Sequence, residues 1–153
     1  MVAAVVVAAV AVVVVEEDRI KTKYINDIVW KKISGLEFDN QNAELTFSKR
    51  LARENRWPQW YALDVIEEYR KFLYLLQRAK HPVTPSIEVD QVWHLHLTYS
   101  EFYWEDFAKG MPVKPHHGPT RGGSDEDNKF IDWYAKTLES YEQIFGNKPP
   151  IHI

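Results

Sequence analysis

The 153-residue chain contains no cysteine. That excludes disulfides, thiolate metal centres and cysteine nucleophiles together, and it leaves the redox compartment open. Neither sign of charge dominates, with 19 Lys and Arg against 22 Asp and Glu and a formal net charge of −3. A slightly acidic chain gives no electrostatic footing for nucleic acid as a main partner, so none is expected. There is no internal repeat and no heptad run long enough for a coiled coil. No apolar run reaches the length of a membrane span. The longest, Val2 to Val15, is fourteen residues of Val and Ala alone. As a helix it covers ~21 Å, short of the ~30 Å hydrocarbon core. It also lacks the basic start and cleavage site of a secretory signal.

Three readings of that run stay open: part of a membrane anchor, a buried strand or helix, or a stretch foreign to the natural protein. If it is an anchor, Arg19, Lys21 and Lys23 put the following domain on the cytoplasm-like side, and Glu16, Glu17 and Asp18 count for little against them. The expected location is therefore cytoplasmic, or membrane-associated on that side. The chain divides into an apolar segment, residues 1–16, and one helical domain, residues 17–150.

Aromatic residues are abundant: six Trp, eight Tyr and seven Phe make 14% of the chain. They bury much area per residue, and the length suffices for one real core. Apolar spacing gives an all-α fold of about five helices packed as a small irregular bundle, with no sheet beyond a hairpin. A first helix runs from Glu17 through Ile20, Tyr24 and Ile28 to a stop at Gly35. A second, after a turn and N-cap at Asn40 to Asn42, ends near Asn55. A long third has Pro58 at its first position and ends near Ala79. The stretch from His81 to Pro85 is a rigid connector. Ser86 caps a fourth helix that continues to Ala108 and stops at Gly110. A loop over residues 111–123 leads to a fifth helix, capped by Ser124 with Asp127 and ended by Gly146.

Residues 89–96 read Val-Asp-Gln-Val-Trp-His-Leu-His, followed by Tyr103 and Trp104, then His116-His117-Gly118-Pro119-Thr120, then Phe145-Gly146 and Pro149-Pro150. Together these resemble the glycine-rich domain-containing protein-like family, a domain of unknown function found in plant glycine-rich proteins and many bacterial proteins, some with membrane segments. The likeness runs from about Phe47 to Pro150. It implies links to stress and development in plants, with RNA-binding segments outside this domain, and it brings no reaction. No glycine-rich tail is present in these 153 residues.

His94 and His96 stand about 200° apart on a helix, so one intact helix cannot aim both at one ion. Asp90, His94, Thr98, Glu101 and Glu105 form a polar stripe. His96 falls on the apolar side with Val89, Val92, Tyr99 and Tyr103, and is expected to be buried with its ring nitrogens satisfied by hydroxyls or backbone. Asp90 can accept from the His94 ring N–H and fix its tautomer. His116 and His117 arrive on a loop stiffened by Pro112, Pro115 and Pro119, and are expected to lie against Trp93 and His94. Two or three imidazoles with one carboxylate suit Zn²⁺ or another first-row metal. The candidate metal ligands are therefore Asp90, His94, His116 and His117. A hydrogen-bonded strut and metal-free acid/base chemistry remain as alternatives.

The stretch Thr120 to Ser124 enters a helix N-terminus, a geometry that can hold phosphate, but Asp125, Glu126 and Asp127 would repel it. Lys49, Arg53 and Arg56 share a face near Arg50 that reads as solvated, or as docking an acidic partner or lipid headgroups. Two functions follow. The first is a non-catalytic interaction or scaffold module with a protein partner, as an accessory subunit tethered to a membrane. The alternative is a metal-dependent hydrolase or oxygenase using the histidine cluster.

Overall fold

The computed structural model describes residues 23–119 and 123–150, together with Val10, Val12, Val13 and Arg19. All regular structure among the described residues is helical: α1 (Ile28–Ser34), α2 (Phe47–Asn55), α3 (Gln59–Arg78), α4 (Ile87–Thr98), a π-helix (Phe102–Ala108) and α5 (Ser124–Phe145). The all-α expectation holds. None of these helices is long and apolar enough to cross a membrane. The Val2 to Val15 run lies mostly outside the described residues, as do Thr120, Arg121 and Gly122 of the phosphate-loop reading.

The long helix α3 is the hub, in contact with α1, α2, α4 and α5. Its inward positions Ala62, Val65, Tyr69 and Leu73 are fully buried, spaced three and four apart as an apolar stripe requires. Local chemistry sets the helix ends. Thr46 and Ser86 cap α2 and α4 through their hydroxyls, which accept from Lys49 N and Val89 N. Gly146, at φ 77°, closes α5 in the left-handed conformation that glycine adopts without cost. Arg70 of α3 binds the end of α1 by donating to Ile33 O and Leu36 O, each at 2.8 Å.

Five boundaries differ from expectation. Thr46, and not Asn40 to Asn42, caps α2. Asp27 interrupts the first helix: its carboxylate caps α1 by accepting from Val29 N and takes two hydrogen bonds from Arg78 and one from Tyr74. Pro58 is the N-cap of α3 and not its first residue. The fourth helix breaks at Tyr99, whose ψ of 63° is not helical, and the chain resumes as a π-helix. Ser124 begins α5 without capping it; Gly123, at φ 111°, holds the cap position.

The π-helix widens the turn because its hydrogen bonds reach five residues instead of four. Tyr103 and Phe107 are fully buried on it, and Phe102 is half-buried. These rings enclose His96, at 4.9, 6.0 and 4.6 Å between centroids, and Phe38 closes in at 5.1 Å. His96 is buried as expected, but only half satisfied. Its Nδ1 shares a 2.9 Å hydrogen bond with Tyr69 Oη, while its Nε2 has no partner among the described residues.

Candidate metal centre

Asp90 and His94 lie one turn apart on α4, a spacing that puts both side chains on one face. Their position along the bundle follows from the Ser86 cap and from the buried residues Val89, Val92 and Trp93, which seat α4 on the core. Asp90 Oδ2 stands 3.6 Å from His94 Nε2. The other carboxylate oxygen, Oδ1, is 2.6 Å from His117 Nε2. The expected Asp90–His94 hydrogen bond is thus replaced by one between Asp90 and His117. The two histidine rings lie 4.4 Å apart between centroids.

His117 comes from a loop with no regular structure of its own, and three contacts hold that loop in place. Gln77 of α3 clamps Val113 from both sides, accepting from its N–H at 2.8 Å and donating to its carbonyl at 2.9 Å. Trp93 Nε1 donates to Tyr103 Oη, and Tyr103 Oη donates in turn to the Pro115 carbonyl. The His117 ring then packs on Trp93, 4.5 Å between centroids. Trp93 therefore both orients the loop and backs the histidine.

Asp90, His94 and His117 each offer one ligand atom, all within 4.8 Å of one another, a group that could hold a metal ion. Ligand atoms around a tetrahedral ion at the usual ~2.0–2.1 Å bond length stand roughly 3.3 Å apart. The two separations seen, 2.6 Å from His117 to Oδ1 and 3.6 Å from His94 to Oδ2, are of that order, though they run to different oxygens of the Asp90 carboxylate. His94 and Asp90 are partly open to solvent and His117 is mostly covered. His116 is not in the group. It turns outward, and its ring lies 5.4 Å from Trp104. His96 is also excluded, as its place in the aromatic cage requires.

A cleft of about 470 Å³ opens beside the group, lined by Asp90, Trp93 and His117 together with Phe130 and Trp133 of α5. The positioning roles of Gln77 and Tyr103 were not read from the sequence. A glutamine on the inner face of a strongly amphipathic helix is the signal that could have found the first.

The chain is similar to two curated proteins of Arabidopsis thaliana. It is 26% identical to glycine-rich domain-containing protein 1 over 90 residues, which is 56% of this chain and 11% of that protein. It is 22% identical to glycine-rich domain-containing protein 2 over 90 residues, with the same shares covered. The family resemblance read from the sequence is supported at this remote level. No protein-family model matches the chain, and no solved structure matches it.

Proposed function

We propose that this chain is a metal-binding helical domain in which Asp90, His94 and His117 hold a first-row divalent ion such as Zn²⁺, serving metal-dependent chemistry on a molecule bound in the adjoining cleft. The observation that carries this reading is the convergence of three metal-ligating side chains from two separate segments beside a cleft. Three protein ligands of this type leave coordination positions for water or substrate, the arrangement of catalytic and not of structural sites. Two histidines and one carboxylate also suit iron in oxygenases, so hydrolytic and oxidative chemistry are both within reach of the donor set. The fold does not need the ion, because the loop bearing His117 is already held by Gln77 and Tyr103.

The interaction-module reading keeps one supporting observation. Trp60, Ile87 and Ile131 are large apolar side chains that remain well exposed. They lie on α3, α4 and α5, and large exposed apolar groups mark a docking surface where they form a contiguous patch. Elemental analysis of the purified protein separates the two readings. Close to one equivalent of metal is expected, lost in His94→Ala and His117→Ala and kept in His116→Ala. A metal-free protein that takes up no added Zn²⁺ would leave the module reading in its place.

A further inference from the structure

We infer that the cleft takes a flat aromatic ligand carrying an anionic oxygen donor, with the ring against the aromatic lining and the oxygen on the metal. This rests on the metal-binding reading above and adds the class of ligand. The cleft volume of about 470 Å³ fits a small molecule. Its lining is rich in aromatic side chains: Trp93 on α4, and Phe130 and Trp133 on α5, the latter two edge-to-face at 5.7 Å. Flat rings bury well against such side chains in offset or edge-to-face contact.

Charge selects the donor. Asp90 is the one acidic side chain lining the cleft among the described residues. A divalent ion held by one carboxylate and two neutral imidazoles keeps a net charge of +1. A monoanionic carboxylate or phenolate oxygen cancels it, whereas a cationic ligand would be repelled. The ammonium of Lys129, 4.2 Å from the Trp133 ring centroid, adds positive charge beside that ring. Asp90 and His117 both line the cleft and lie 2.6 Å apart, so an oxygen at the end of a ring bound there is next to the ion they would hold.

Co²⁺ makes this testable, since its visible bands respond to a new ligand. The Co²⁺-loaded chain is titrated with 2-naphthoate, with acetate, and with 2-naphthylmethanol. The expected result is a change in the bands with naphthoate at a concentration at least about tenfold below that needed with acetate, and no change with the uncharged alcohol. Trp133→Ala and Phe130→Ala should keep the Co²⁺ spectrum and lose most of the preference for naphthoate over acetate. A Co²⁺ spectrum that naphthoate shifts no better than acetate overturns the ligand class and leaves the metal centre standing. Absence of any protein-bound Co²⁺ spectrum overturns the centre and the ligand class together.

Discussion

Burial holds the His96 imidazole neutral, with its pKa pushed down to about 3 chiefly by desolvation and further by the Arg70 charge. The unfolded chain binds this proton near pH 6.5 and the folded chain does not, so stability is full above pH 6.5 and is lost as pH falls toward 3. The whole shift corresponds to about 5 kcal/mol. Urea denaturation between pH 7 and pH 4.5 should show this loss, and His96→Leu should flatten the slope even though it strands the Tyr69 hydroxyl. Asp27 behaves in the same sense in a lower window. Hydrogen bonds from Arg78 lead the causes that hold its carboxyl down to about 2, so its contribution is present above the usual 3.8 and lost below it. Asp27→Ala removes a helix cap and three side-chain hydrogen bonds, and should cost about 2 kcal/mol at pH 7 by chemical denaturation, discounted for the exposed Arg78.

Among the elements, the loop before α5 and the π-helix decide where His117 sits, and Gln77 is their common test. Gln77→Leu frees both backbone groups of Val113. It should weaken Zn²⁺ binding by about tenfold, as loss of an outer positioning group does, while the helical circular dichroism stays unchanged. Tyr103→Phe should act in the same direction, because it removes the bond to Pro115. This scale also shows what the sequence could and could not disclose. Asp90 and His94 were legible as neighbours because helical spacing alone makes them so. The docking of the histidine loop followed from its three prolines. Which of His116 and His117 turns inward did not, since adjacent residues of one type differ only by tertiary contacts. The break at Tyr99 was hidden because residues 99–108 keep an apolar pattern that one continuous helix would also fit. Ser124 reads as the cap of α5 from its side chain and from Asp127, and the positive φ of Gly123, which no spacing discloses, moves the cap one residue earlier.

For the molecule as a whole, the core runs from Val29 to Phe145 and is organised on α3. Val10, Val12 and Val13 are each more than half exposed. Removal of residues 1–18 should therefore leave the melting temperature and the metal stoichiometry of the domain unchanged, as calorimetry and elemental analysis would show. A drop of several degrees would mean that the Val/Ala run is part of the core. The Gln77 clamp carries a further consequence at this scale. Val113 lies in a segment without helix or sheet, where backbone protons ordinarily trade with solvent through small local openings. Its own proton is tied instead to a side chain, itself buried, on the central helix. In deuterium exchange this loop amide should keep time with the amides of α3, opening only when the whole bundle opens.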